Sequence, residues 1–349
     1  MNSYAPRTPR VSVIIPCYNL GQYLDDSVGS VLSQTFQDFE IVIVDDGSTD
    51  PATRALLADY DRPKTRVMHA SHGGVSAARN LAIASTTGAY LCALDADDRL
   101  EPTYFEKAVR LLDGDPAVAF VSCWLRAFGD EEWEWKPERC DLPALLWEDT
   151  VLTASLMRRE AVEAVGGYDT EMPIQGAEDW DLWLTLVARG YRGAILREVL
   201  FNYRRREGSL STIAWNGAGH LPLAAYRVAK HRDAYRAHLI DVFLHQDEET
   251  GELLRQNDEI ERYIATELEP AVMSHREELA ALRSRLASTT PKAVEDAIPS
   301  QAAERIRELE TTLGAVSAEV TALRTSRSWR LTGPLREVYG WWIRRRGSE

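Results

Sequence analysis

The sequence predicts an α/β fold: a mainly parallel sheet with helices on both faces, followed by a helical C-terminal region. Three observations predict it. Between residues 11 and 122, short apolar runs alternate with stretches of helical period. Each apolar run stops at a proline or at polar, turn-forming residues. Asn19, Asp45, Asp46, His72, Asp95 and Asp97 all fall at or just past the ends of these runs, where open parallel sheets bind ligands.

The elements follow in order. Residues 11–16 form the first apolar run, stopped by Pro16, and Leu20, Leu24, Val28, Val31 and Leu32 then recur at helical spacing. Residues 40–44 read as a second buried strand, ended by Asp45-Asp46-Gly47-Ser48. Thr49-Asp50-Pro51 reads as a helix start, with proline at an early helical position. Residues 66–70 make a third strand, Gly73-Gly74 leads into a helix through Ala84, and residues 89–94 make a fourth strand. From 124 to 148 the pattern is irregular and rich in tryptophan: Trp124, Trp133, Trp135 and Trp147. A helix is expected near 158–165, turned by Gly166-Gly167, and another over 178–189. Tyr203-Arg204-Arg205-Arg206 precedes a polar loop at 208–211.

After about residue 215 long helical patterns take over. The chain therefore divides into an α/β region at 1–215, a helical region at 216–290, a coiled-coil helix at 291–325 and a tail at 326–349. Ala302, Ile306, Leu309, Leu313, Val316, Val320 and Leu323 step by four and three, an a/d stripe. Leu279, Leu282 and Leu286 continue the spacing upstream, and Pro291 and Pro299 interrupt it. The stripe predicts self-association through 302–323, or else an amphipathic helix packed on the chain's own body. From Arg324 onward seven arginines face two glutamates, a net +5, interleaved with Trp329, Tyr339, Trp341 and Trp342. Such a segment suits an anionic membrane surface. The alternative is that its aromatic face packs on the protein itself.

The balance of the chain is acidic, −14 over 349 residues, which argues against nucleic acid as a partner. Cys17, Cys92, Cys123 and Cys140 have no CxxC or metal-ligand spacing, so they read as reduced cytosolic thiols. No apolar leader precedes Val11 and no stretch nears 18 consecutive apolar residues, so neither a signal peptide nor a membrane span is expected.

Two acidic clusters carry the chemistry. Asp95-Ala96-Asp97 directly follows the apolar run at 89–94, and a carboxylate pair at a strand end suits a hard divalent cation holding a diphosphate. Glu178-Asp179 opens a helical pattern, where a metal-free carboxylate could take a proton from an attacking hydroxyl. The same pair would also serve as plain helix capping. Read together, the clusters predict metal-assisted transfer from a phosphorylated donor.

At five stretches the chain resembles family 2 glycosyltransferases of the GT-A fold. These are residues 11–19, Val44-Asp45-Asp46-Gly47-Ser48-Thr49-Asp50, Gly74-Val75-Ser76-Ala77-Ala78-Arg79-Asn80, Leu94-Asp95-Ala96-Asp97-Asp98 and Glu178-Asp179-Trp180, in the family's order. The resemblance implies an inverting, metal-dependent sugar transferase. Pro16, Tyr18 and Asn19 would flank the nucleotide base, with Tyr18 able to stack on it. Asp46 would accept hydrogen bonds from uracil or ribose, although Asp-Asp-Gly-Ser is good turn chemistry by itself. Arg79 would neutralise the diphosphate, where a helical arginine is otherwise a surface residue. Asp97 would ligate Mg²⁺ or Mn²⁺ and Asp95 would contact ribose or a metal-bound water, while Asp98 reads as a cap for a helix from Glu101. Asp179 would be the general base and Glu178 its support. The family's histidine after the last strand is missing from Tyr203-Arg204-Arg205-Arg206-Glu207, so arginine or water would complete the site.

The tail after a heptad stripe resembles bacterial O-antigen and surface-polysaccharide transferases. That resemblance implies a glycan or lipid-linked acceptor and a peripheral place on the inner face of the cytoplasmic membrane. Two further readings compete: a nucleotidyltransferase, and a non-catalytic coiled-coil scaffold on a transferase fold. The first run is followed by Cys17-Tyr18-Asn19-Leu20-Gly21, which is no glycine-rich phosphate loop and no GxGxxG. The intact Asp97 and Asp179 argue against a scaffold.

Overall fold

The computed structural model describes residues 8–206, 209, 220–288 and 298–324. The basic tail at 326–349 and most of the polar loop after Arg206 lie outside the described residues. The chain forms two units, Met1–Val242 and Phe243–Glu349.

The first unit is built on a nine-stranded mixed sheet. Its strands are β1 (Val11–Cys17), β2 (Phe39–Asp45), β3 (Thr65–His69), β4 (Tyr90–Ala93), β5 (Arg99–Leu100), β6 (Val118–Gly129), β7 (Trp133–Trp135), β8 (Leu156–Arg158) and β9 (Arg192–Arg205). Their spatial order is β3-β2-β1-β4-β8-β6-β9-β5, with β7 paired to β6. β1 to β4 are mutually parallel, as the alternation predicts, and β8 inserts antiparallel between β4 and β6.

Helices cover both faces, so the inner strands are apolar throughout rather than alternating. Side chains still point alternately to the two faces. Val13, Ile15, Ile41, Ile43 and Cys92 pack with helices α1 (Leu24–Leu32) and α4 (Tyr104–Gly114). Ile14, Val42, Val44, Leu91 and Ala93 pack on the other side with α3 (Val75–Ser85), α6 (Arg159–Val165) and α7 (Glu178–Ala188). Cys17, Cys92 and Cys123 are buried free thiols.

Local signals act as read. Asp50 caps α2 (Pro51–Ala58) by accepting the Thr53 N–H at 2.7 Å, with Pro51 in the first turn. α6 ends on Gly166 and Gly167, both left-handed with φ 92° and 78°. Two expectations need correction. The tryptophan-rich stretch is regular: Trp124 lies within β6, Trp133 and Trp135 form β7, and Trp147 ends α5 (Leu142–Trp147). Asp98 caps no helix, because β5 intervenes and α4 starts at Tyr104; buried Asp98 instead accepts the Arg204 N–H at 2.8 Å.

Beyond residue 215, helices α8 (His220–Lys230) and α9 (Arg232–Ala237) belong to the first unit. They grip α7 through charge. Lys230 bridges Asp169 and Asp181, His231 lies 2.9 Å from the same Asp181, and Arg227 stacks 3.5 Å from the Trp180 ring centroid. The second unit takes most of α10 (Leu239–Tyr263), a π-helical turn at Ile264–Leu268, α11 (Glu269–Ser288) and α12 (Ile298–Arg324). α11 and α12 run antiparallel, tied by Arg283–Glu310, Arg305–Glu278 and Arg324–Glu269. The heptad stripe of α12 thus has a partner within its own chain, with Leu309 only 1% exposed. Among the described residues no helix is long and apolar enough to cross a membrane.

Candidate active site

The sheet order β2-β1-β4 sets three strand ends side by side, and the polar residues after them form one wall. Tyr18 follows β1, is 39% exposed and stacks on His72 with ring centroids 4.4 Å apart. This leaves a flat aromatic surface exposed beside the strand ends. Asn19 takes φ 57° and pins the turn after β2, its Oδ1 accepting the Thr49 and Asp50 N–H groups at 2.8 Å each. Pro16 is buried inside β1. Asp46 accepts the Gly73 and Gly74 N–H groups at 2.8 and 2.9 Å, and His72 Nδ1 lies 2.9 Å from its Oδ2. Asp46 thus anchors the loop before α3. A carboxylate has about four lone-pair sites, and these three contacts leave the spare acceptor capacity on Oδ1. Gly74 is fixed at φ 87°, where a Cβ would collide with the Gln175 side chain.

Asp95 and Asp97 stand beyond β4. Asp97 is mostly buried and its Oδ2 receives Arg206 Nε at 2.6 Å. Its carbonyl receives Arg204 Nε at 2.9 Å. Burial, then the charges of Asp97 and Asp95, push the Asp98 carboxyl well above the usual carboxylate range.

Arg79 departs most from its expected surroundings. It is 1% exposed, and it donates to Glu178 Oε1 at 2.6 Å and to Asp95 Oδ1 at 2.7 Å, beneath the Tyr168 ring. A buried guanidinium therefore joins the carboxylate pair after β4 to the first turn of α7. Although burial opposes it, the Arg79 charge holds Glu178 below its ordinary pKa. Glu178 also accepts the Gly176 N–H at 2.7 Å, so it acts as a buttress.

Asp179 is held by the Thr153 hydroxyl and the Trp180 N–H. Burial, then the Glu178 charge, raise its pKa to about 6. That is the range in which a general base works near neutrality. Asp149 is a residue that sequence reasoning missed. Its Oδ1 is buried without a hydrogen-bond partner among the described residues, and burial with the Asp179 charge pushes its carboxyl well up. No motif in the sequence marks it.

A divalent cation fits the chemistry of the lip. Asp97 Oδ2 already carries a cationic group, and the donors available are hard carboxylate oxygens. Among the described residues no three His, Cys, Asp or Glu side chains converge on one point. Mg²⁺-type ions are held by one or two carboxylates plus water and substrate phosphate, so two suffice.

The profile described as Glycosyl transferase family 2 matches residues 12–172. The putative teichuronic acid biosynthesis glycosyltransferase TuaG of Bacillus subtilis (strain 168) is 31% identical over 220 residues, which cover 60% of this chain and 84% of that protein. Hyaluronan synthase of Pasteurella multocida is 37% identical over 121 residues, 34% of this chain but only 12% of the synthase. A crystal structure of S. aureus TarS 1-349 in complex with UDP-GlcNAc superposes with a TM-score of 0.51 at 16% identity, over 89% of this chain and 92% of that one. The last likeness speaks for the fold, a GT-A-like mixed sheet followed by helices.

Proposed function

Because the chain belongs to glycosyl transferase family 2, we propose that it moves a sugar, with inversion, from a nucleotide-sugar donor to a hydroxyl of a glycan or lipid-linked acceptor. The Arg79 bridge carries this reading. It ties the Asp95–Asp97 lip to the start of α7, so a phosphate-binding edge and a carboxylate of raised pKa serve one cleft.

The chain's residues divide the work. The exposed face of Tyr18 supports the base of the nucleotide, and Asp46 holds the adjoining loop and offers acceptors to it. Asp97 and Asp95 would hold Mg²⁺ or Mn²⁺, which when bound neutralises a leaving diphosphate. Asp179, oriented by Thr153, takes the proton of the acceptor hydroxyl. The acceptor oxygen bonds to the anomeric carbon as the bond to the diphosphate oxygen breaks. One displacement inverts that carbon. The teichuronic acid biosynthesis of TuaG supports a bacterial surface polysaccharide as the product's class.

A panel of nucleotide sugars tested by thermal shift examines this. One of them should stabilise the protein only with Mn²⁺ present, by about 2.7 kcal/mol at a hundred times its Kd. Asp97→Ala should lose the metal-dependent part. No response to any nucleotide sugar would sink the reading.

The tail at 326–349 extends the proposal to the inner face of the cytoplasmic membrane, on the strength of its +4 charge and Trp329, Trp341 and Trp342. Each basic residue near an anionic surface contributes on the order of 1 kcal/mol. Full-length protein should float with anionic vesicles at low salt and not at high salt, and a chain ending at Arg324 should not float. Equal flotation of both would exclude the tail as the anchor. Self-association through 302–323 would require the α11–α12 pair to open or to double with a second copy.

A further inference from the structure

The three arginines at the end of β9 are not equivalent. Arg204, in the strand, and Arg206, one residue past its end, both reach Asp97 and Tyr23, while Arg205 points to the other side. Arg205 pairs there with Glu131 at 3.3 Å. Arg204 is fixed from several sides. Its N–H reaches Asp98, its Nε the Asp97 carbonyl, and its Nη2 Asp26 at 2.6 Å, while its guanidinium lies over the Tyr23 and Phe128 rings. Arg206 has a single polar anchor among the described residues, Nε on Asp97 Oδ2 at 2.6 Å, with the Tyr23 centroid 6.0 Å away. Its side chain is 25% exposed against 12% for Asp97.

Resting on the metal reading above, we infer that Arg206 and the divalent cation compete for Asp97 Oδ2, so that Arg206 is an exchangeable counter-ion of the cation site. A Mg²⁺-type cation ligated by that oxygen would lie about 2.0–2.1 Å from it. A guanidinium nitrogen at 2.6 Å on the same atom crowds that position, and two cations on one oxygen repel. The pairing has its own electrostatic reason. Asp95 and Asp97 set two carboxylates two positions apart; the Arg79 guanidinium holds Asp95, while among the described residues Asp98 takes only the Arg204 backbone N–H. Arg206 is the cation at Asp97. Reciprocity then follows: whatever draws Arg206 off Asp97, such as an anionic phosphate, tightens the cation by the same factor.

The experiment is a Mn²⁺ titration of the full chain without nucleotide, read by the electron-paramagnetic signal of free Mn²⁺. Arg206→Gln should bind Mn²⁺ about five- to tenfold more tightly than wild type, the scale of one partly exposed charged pair. Arg206→Lys should stay near wild type, because it keeps the competing charge. Asp97→Asn should lose the site. Equal or weaker binding by Arg206→Gln, with the site still lost in Asp97→Asn, overturns the competition. Wild-type binding by Asp97→Asn overturns the cation site itself, and the inference with it.

Discussion

Asp179→Asn is expected to lower turnover by about two to four orders of magnitude, the range for loss of a general base, with donor affinity almost unchanged. The amide keeps the size of the carboxylate: its oxygen can still accept the Trp180 N–H, and its NH2 can donate to the Thr153 hydroxyl oxygen in place of accepting from it. It cannot take the acceptor's proton. In the unaltered protein the base must be ionised, so kcat/KM should rise with pH through about 6 and then level off. The residual rate of the Asn variant should lack that limb.

Stability should move the other way. Folding raises the Asp179 pKa from 3.8 to about 6, so the folded state prefers the protonated form. The resulting stabilisation is complete below 3.8 and is lost as pH rises through about 6. At pH 8 the charged carboxylate therefore weighs against folding by an amount on the order of 3 kcal/mol, and the neutral amide removes that load. Denaturant unfolding at pH 8 should find Asp179→Asn no less stable than wild type and up to that much more so. A variant that keeps turnover but loses donor binding would make Asp179 a donor ligand instead.

The parts that were legible in the sequence are those whose signal is local. β1, β2 and β4 are near-continuous apolar runs because both faces are covered. Asp50-Pro51 and Gly166-Gly167 are turn chemistry readable over two residues. β5 and β8, of two and three residues, exist through pairing with β9, β4 and β6 and carry no period of their own. β9 is half exposed along much of its length, so it shows neither an apolar run nor clean alternation. The same divide holds at the site. The Asp95–Asp97 and Glu178–Asp179 clusters are contiguous and visible. The setting of Arg79 is not, because its two partners lie 16 and 99 residues away. The helical segment after residue 220 reads as a separate region, yet Lys230 and His231 reach back to Asp181 on α7, the helix that carries Asp179.

Arg79→Met should destabilise the protein by about 3–5 kcal/mol, the penalty for leaving a buried ion-pair partner uncompensated. Methionine fills most of the volume and keeps helix propensity, so the loss is electrostatic. It falls chiefly on Glu178, whose side chain is nearly as buried as Arg79, and less on Asp95, which is about one-third exposed and can be solvated. The origin can be isolated. Glu178→Gln in the same background removes the stranded charge, and the double variant should recover most of the lost stability, because replacing a whole buried pair is often nearly neutral. Denaturant unfolding of the two single variants and the double closes the cycle. Loss of less than 1 kcal/mol in Arg79→Met, or a double variant no better than the single, would refute the bridge. If stability survives while nucleotide-sugar binding is lost, the guanidinium belongs to the diphosphate, the role that the family resemblance implies. The two roles are physically distinct. An arginine already bonded to two carboxylates sets the distance between the Asp95–Asp97 segment and the start of α7, and its removal should loosen that geometry before it weakens any contact with a donor.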